Sequence, residues 1–424
     1  MAGVTAACPL QAARISSRGL AHEQALLLQQ QPSLPLDLEA HVARAWRWYR
    51  SMGSPRYVCA PMVDQSELAF RLLCRRYGTQ LAFSPMVHAA CYLREKRSKR
   101  NEVFFCNTNP QDWPLIVQLC GNDPGVLLAA AKEICRIEGV CAVDLNLGCP
   151  QGIARKGKYG AFLLHQADLV VRIVSTLSRE LDKPVTCKIR LLPTFSETLA
   201  LCQALVGAGC SLLTVHGRTK EQNKHLVGSC DWEAIRKIKA AVPVPVFANG
   251  GIADLDDVEK CLSFTKVDGV MSSEALLENP GLFSRNVNVV TGHRANQLDL
   301  AEEYLELAAQ HPPDRLKCVR AHVFKLVFTG VQLFEDLRDA LVAAENVKEM
   351  RWVVGEIRRR ALERAQGRDV GSAGERSWYW RHWHKGVTDK GSELPRQGKE
   401  GGKRRGEEGG VESEGMGCLF GAED

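Results

Sequence analysis

Between Tyr57 and Ser273 the chain alternates short, near-continuously apolar runs with longer stretches whose apolar residues recur at helical spacing. The apolar runs are Tyr57–Val63, Leu81–Val87, Leu115–Gly121, Ala142–Gly148, Pro184–Leu191, Ser211–Gly217, Pro243–Gly250 and Gly269–Ser273. Runs of this length without polar alternation suit strands covered on both faces. The stretches between them carry helix signals. "SELAFRLLCRRY", Ser66–Tyr77, sets Leu68, Leu72 and Leu73 on one stripe after a serine, and Pro124–Glu138 sets Val126, Leu127, Ala130 and Ile134 on one face. A third, Asp231–Ala241, opens on an aspartate suited to an N-cap. Strands that alternate with helices in this way pair in parallel. Eight such units predict a closed (β/α)8 barrel, with an open doubly wound sheet as the runner-up. "GAGC", Gly207–Cys210, precedes its strand and lacks a third glycine, so it reads as a helix C-cap turn and not as a dinucleotide fingerprint.

After Pro280 the strand signals cease, and Leu298–Gln310 and Arg315–Arg364 read as helical. The expected organisation is a leader over 1–50, partly disordered, a barrel over 51–290, a smaller helical domain over 291–366, and a disordered basic, Gly-rich tail over 367–424. The first forty residues are rich in Ala, Leu and Gln, carry Arg14 and Arg18, and have no acid before Glu23. That composition loosely resembles a mitochondrial transit peptide, although a disordered leader is the preferred reading. The tail contains an aromatic cluster, "WYWRHWH", Trp378–His384, for which a base-stacking role is conceivable but disfavoured.

Composition changes this picture little. Hydrophobic residues at 45% and charged residues at 25% describe an ordinary globular protein and exclude collagen-like, mucin-like and wholly disordered chains. The net charge of +6 does not by itself argue for nucleic acid. Its clustering says more: "REKRSKR", Arg94–Arg100, and "RWVVGEIRRRALER", Arg351–Arg364, read equally as solvated faces or as surfaces that track phosphates. Sixteen cysteines with no C-x-x-C pair point to reduced, mostly buried thiols, with no zinc ribbon and no bound metal. No apolar run reaches the roughly twenty residues of a membrane-spanning helix.

The candidate chemistry lies at the C-terminal ends of the strands, where a barrel of this kind builds its active site. Those ends read "APMVDQ", "VQLCG", "NLGCP", "CKIR", "VHGR" and "FANGG". They converge Gln118, Asn146, Cys149, Lys188, Arg190, His216, Arg218 and Asn249 on one mouth. "NGGI", Asn249–Ile252, and "SSE", Ser272–Glu274, follow the last two strands, where barrels commonly hold a phosphate. A phosphate at one edge, a strand-end cation and a strand-end amide suit flavin mononucleotide, FMN. Gln118 would then pair with the pyrimidine end of the flavin, Lys188 would stabilise the charge that develops on reduction, and His216 would touch either the ring or the phosphate side.

"APMVDQSELAFR", "NLGCPQ", "KIR", "VHGRT" and "ANGGI", in this order and spacing, resemble the tRNA-dihydrouridine synthases, and within them the eukaryotic branch named for positions 16 and 17. The resemblance covers about Tyr57–Arg360. It implies an FMN-bound TIM barrel with a C-terminal helical domain, which together grip the tRNA elbow and reduce D-loop uridine, with NADPH or NADH as the reductant. Carried onto this chain, the flavin contacts fall on Pro61, Met62, Val63, Gln118, Lys188, His216, Asn249, Gly250, Gly251, Ser273 and Glu274. Cys149 becomes the proton donor. Asn146 and Arg190 lie near the uracil, Arg218 joins the substrate site, and Arg320 and Lys325 of "CVRAHVFKLVF" face the tRNA. Many bacterial members carry Gly-Arg where this chain has Ser273 and Glu274, which removes one arginine contact to phosphate. The chain is expected to act as a monomer in the cytoplasm, with the nucleus second and the mitochondrion behind both. Two other readings stay open: an FMN-dependent small-molecule reductase, and an RNA-binding protein with impaired catalysis.

Overall fold

The computed structural model describes residues 36–95, 109–223 and 226–367. Among the described residues nine strands form in chain order: β1 Tyr57–Cys59, β2 Leu81–Phe83, β3 Val87–His88, β4 Leu115–Cys120, β5 Val140–Leu147, β6 Val185–Leu191, β7 Cys210–Thr219, β8 Val246–Asn249 and β9 Gly269–Ser272. All pairings between these strands are parallel. β1 sits between β2 and β9, and β2 also pairs with β4, which closes eight strands into a barrel with the short β3 alongside. The doubly wound alternative is excluded by that closure.

Both strand faces are buried because helices clothe the outside, which is why the strands lack polar alternation: all six residues of β4 are buried. The outer helices start where side chains satisfy their orphan amides. Asp123 and Asp231 accept from Val126 N and Ala234 N, each at 2.8 Å, and Thr194 forms a capping box with Glu197. Gly209, at φ +104°, follows the helix Phe195–Gly207 as the expected C-cap turn.

The barrel floor is closed by the helix Leu38–Ser51, in a stretch that the sequence reading gave to the leader. Its polar groups cap carbonyls just before or at the starts of strands. His41 Nε2 lies 3.0 Å from Cys210 O, Trp46 Nε1 donates to Pro243 O at 2.7 Å, and the Tyr49 hydroxyl reaches Pro55 O and Asp268 O at 3.0 and 3.1 Å. Above it, Tyr49 and Met52 pack with Val58, Leu81, Phe83, Ile116, Ala142, Leu212, Phe247 and Met271 in one apolar cluster. These strand residues point inward, and two positions further along each strand point inward again.

The C-terminal layer comprises helices Gln297–Gln310, Leu316–Leu326, Phe328–Leu333, Glu335–Ala343 and Val347–Gly367. The continuous helical stretch read over Arg315–Arg364 is thus broken into four pieces, which lets them fold back on one another. The first, Gln297–Gln310, packs on Leu68–Arg76 of the barrel wall. Within that wall Arg71, fully buried, sends Nε and Nη2 to Asp112 Oδ2 at 2.9 and 2.7 Å, and Arg75 Nε takes Oδ1 at 2.9 Å. A buried charge is tolerated only when it is paired this completely. Among the described residues no single helix is long and apolar enough to cross a membrane.

Candidate active site

Above the apolar floor the inward positions become polar. Asp144, on β5, is buried; burial pushes its carboxyl up to about 6, against hydrogen bonds from Thr186 and Gln118 and the charge of Lys188. Thr186 Oγ1 donates to Asp144 Oδ1 at 2.6 Å, and Gln118 Nε2 donates to Oδ2 at 2.8 Å. Gln118 Oε1 in turn accepts from Asn146 Nδ2 at 2.7 Å. Both polar atoms of the Gln118 amide are therefore engaged, and the residue is 1% exposed. Gln118 thereby supports Asn146.

Asn146 uses that support to shape the turn after β5. Its Oδ1 accepts from Gly148 N at 3.1 Å and Cys149 N at 3.0 Å. A second loop closes on the same turn, because Ala161 N donates to Cys149 O at 3.0 Å. Gly160, at φ +65°, makes that approach possible, since a Cβ there would lie 2.8 Å from Cys149 O. Cys149 is half-buried, and burial pushes its thiol up, with a backbone contact at Gln151 and the charges of Arg190 and Lys188 opposing. The thiol therefore stays protonated at neutral pH.

Arg190 belongs to the same assembly. Its Nε donates to Gly148 O at 3.0 Å, while Nη1 donates to Thr219 O at 2.7 Å and Gln222 O at 3.1 Å. It clamps the Cys149 turn to the loop after β7 as well as lining the mouth. Burial, then Arg218, lowers it to about 10. Lys188 Nζ donates to Asn249 Oδ1 at 2.8 Å, and Asn249 Nδ2 donates to Met271 O at 2.9 Å. Burial, then the neighbouring Arg190, brings Lys188 down to about 8, so it remains mostly cationic at neutral pH. Arg218 reaches Gly228 O with Nε and Nη2 at 3.2 and 3.0 Å.

His216 stands among these cations. Burial, then Arg190, Lys188 and Arg218, hold its imidazole well below the usual range, so it is neutral. Its Nε2 lies 3.4 Å from Arg218 Nη1; a guanidinium only donates, so Nε2 accepts and Nδ1 carries the proton. Beside it Gly250 and Gly251 adopt φ +97° and +78°. A Cβ on Gly250 would lie 2.8 Å from His216 Cδ2, and one on Gly251 would lie 2.9 Å from Trp232 Nε1. Trp232 Nε1 also donates to Gly250 O at 3.1 Å. Arg190, His216, Arg218, Asn249, Gly250, Gly251, Ser273 and Glu274 all line one cavity of about 530 Å³, within the usual size of a cofactor pocket.

The family described as dihydrouridine synthase (Dus) matches residues 58–350. The chain belongs to the dihydrouridine synthase family. It is 46% identical to the rat protein named tRNA-dihydrouridine(16/17) synthase [NAD(P)(+)]-like, over 74% of this chain and 70% of that one. The mouse protein of the same name is also 46% identical, over 74% of this chain and 64% of its own length. The Schizosaccharomyces pombe tRNA-dihydrouridine(16/17) synthase [NAD(P)(+)] is 40% identical, over 74% of this chain and 81% of its own.

In this dihydrouridine synthase chain the remaining expected residues divide. Pro61, Met62 and Val63 follow β1 beside Ser272, whose carbonyl accepts from Ala60 N at 3.0 Å, and they lie outside the cavity lining. Lys325, expected to face the tRNA, is 8% exposed, its Nζ donates to the Ala321 carbonyl at 3.3 Å, and burial lowers it to about 8. Arg320 is half-buried and donates to Ala344 O. Their helix, Leu316–Leu326, buries Cys318, Val319, His322, Val323, Lys325 and Leu326 and leaves Arg320 partly exposed. Arg358, Arg359 and Arg360 are each paired with carboxylates of Asp299, Glu302, Glu356, Glu363 or Asp336, which favours the solvated-face reading of that run.

Of Arg94–Arg100 only the first two residues are described, and Trp378–His384 lies outside the described residues. Every described cysteine is a free thiol, and among the described residues no cluster of His, Cys, Asp or Glu is placed to hold a metal. Sequence reasoning missed Asp144, Gly160, Gln222 and Trp232. Asp144 was within reach, since it lies two residues before Asn146 on the same side of β5.

Proposed function

We propose that the protein is an FMN-dependent tRNA-dihydrouridine synthase that uses NADPH or NADH to reduce uridines 16 and 17 in the D-loop, acting as a monomer on the tRNA elbow. The observation that carries this reading is the Cys149 turn, held by Asn146, Gly160 and Arg190 at the rim of a cationic, glycine-edged cavity.

The residues present fit a phosphorylated flavin. Gly250 and Gly251 expose backbone where side chains would collide, and Arg218 with neutral His216 flanks them, a donor set suited to a phosphate. Lys188, fixed by Asn249, would face the electron-poor end of the ring. When bound, FMN supplies the hydride that adds to C6 of the uracil. Cys149 would give its proton to C5, so that the C5=C6 π bond is replaced by two C–H bonds and the C5–C6 single bond remains. The thiolate left behind is steadied by the nearby charges of Arg190 and Lys188 and regains a proton from water. General acid catalysis of this kind contributes about 10²- to 10⁴-fold. A uridine must leave its stack to meet the thiol, at a cost of a few kcal/mol.

The test is direct. Purified protein is expected to be yellow and, with NADPH and unmodified tRNA, to place dihydrouridine at positions 16 and 17 by mass mapping. A colourless protein that binds tRNA would favour the catalytically impaired alternative. Turnover of small enones with no action on tRNA would favour the small-molecule reductase.

A further inference from the structure

The loop that follows β1 is fastened to the C-terminal helices at two points. Asp64, held at φ +58°, lies 3.4 Å from Lys317 Nζ. Three residues on, the buried Glu67 divides its carboxylate between two helices: Oε1 accepts from the Tyr304 hydroxyl at 2.8 Å, and Oε2 lies 3.1 Å from His322 Nε2. His322 is fully buried, with Phe70 stacked on it at 4.4 Å. Among the described residues its Nδ1 has no hydrogen-bond partner, so Nε2 carries the ring's polar contact. Burial raises the Glu67 carboxyl, and the His322 ring and Tyr304 hydroxyl outweigh it, which keeps the carboxylate ionised.

Burying a carboxylate costs several kcal/mol, and apolar contacts alone would dock a helix on a barrel wall. What the carboxylate adds is direction: it fixes where the β1 loop stands relative to the helices. From Glu67 the restraint runs through one residue. Ser66 Oγ accepts from Met62 N at 3.0 Å and donates to Met62 O at 3.1 Å, and Arg71 Nη1 holds Ser66 O at 2.5 Å. Met62 lies between Pro61 and Val63, the segment that the family resemblance sets against the flavin.

We propose that Glu67, His322 and Tyr304 are positioning residues for the flavin site, through which the C-terminal helices set the β1 loop, so that flavin affinity depends on contacts made outside the barrel. This rests on the FMN reading given above. The helical layer then has a second role besides any contact with RNA.

The experiment is FMN titration, by fluorescence quenching, into full-length protein stripped of flavin, alongside thermal unfolding of the same samples. His322→Phe keeps the ring stack and removes the hydrogen bond; it is expected to weaken FMN binding about tenfold, the loss of one charged hydrogen bond. His322→Gln, whose amide can donate from a similar position, should recover most of that. Tyr304→Phe and Lys317→Met should each weaken FMN binding about two- to fivefold. A purely structural contact would lower the unfolding temperature of His322→Phe and leave FMN affinity unchanged, which overturns the proposal. Should His322→Phe fail to fold, wild-type affinity in both Tyr304→Phe and Lys317→Met overturns it equally. A wild-type chain that takes up no FMN overturns the flavin reading itself, and this inference with it.

Discussion

The two ends of the barrel are built from the same strands and differ in almost every other respect. At the floor, Phe83, Ile116, Leu212 and Phe247 fill the interior and the helix Leu38–Ser51 seals it. Further along the barrel strands, Gln118 on β4, Asp144 on β5, Lys188 on β6, His216 on β7 and Asn249 on β8 stand at polar positions, and a cavity opens at that end. Strand pairing does not require this change, because backbone bonds continue past it. The polarity therefore marks where chemistry is done, and the floor shows what the same backbone looks like when it only has to be stable.

That contrast can be broken at several places. The largest effect is expected from Cys149→Ala, which should cut dihydrouridine formation by about 10² to 10⁴-fold while keeping flavin and slow NADPH oxidation. Full activity by mass mapping would assign the proton to another group and remove the main reason for calling the upper end catalytic. Phe247→Ala, at the floor, should lower unfolding free energy by about 3–5 kcal/mol and leave the rate per folded molecule near wild type. A variant that is equally stable but catalytically slow would show that the floor is not merely structural.

A smaller effect belongs to Asp144. Its carboxyl is raised to about 6 in the folded protein, against an unfolded value near 3.9, so the folded state binds the proton more tightly. This stabilisation is fully present below about pH 4 and is lost as pH rises through about 6, by roughly 2–3 kcal/mol in all. Asp144→Asn does not titrate, so denaturant midpoints of wild type and variant should converge, or cross in the variant's favour, over that window. A pH-independent difference would place the ionisation elsewhere.

The upper end was legible because parallel strands put all their C-terminal ends on one side, so "NLGCP", "CKIR", "VHGR" and "ANGG" had to converge. Which atoms would bond there was not legible. Gln118 and Asn249 carry side-chain amides suited to a flavin, yet each spends its amide on a neighbouring side chain or carbonyl. The link from Glu67 to His322 spans 255 residues, and no local pattern announces a contact at that separation. "CVRAHVFKLVF" announced a helix but not which side of it packs, and Lys325, read as facing the tRNA, is 8% exposed. The floor helix was nearer to hand: His41, Ala45 and Tyr49 recur every fourth residue and all are buried, a stripe masked by the Ala- and Leu-rich residues before it.

The sealing helix Leu38–Ser51 also has a practical meaning for anyone handling the molecule. Its bonds to Cys210, Pro243 and Asp268 put it at the pole farthest from the cavity. A dye fixed to its exposed face, at Glu39 for instance, would report on that far pole without entering the cavity.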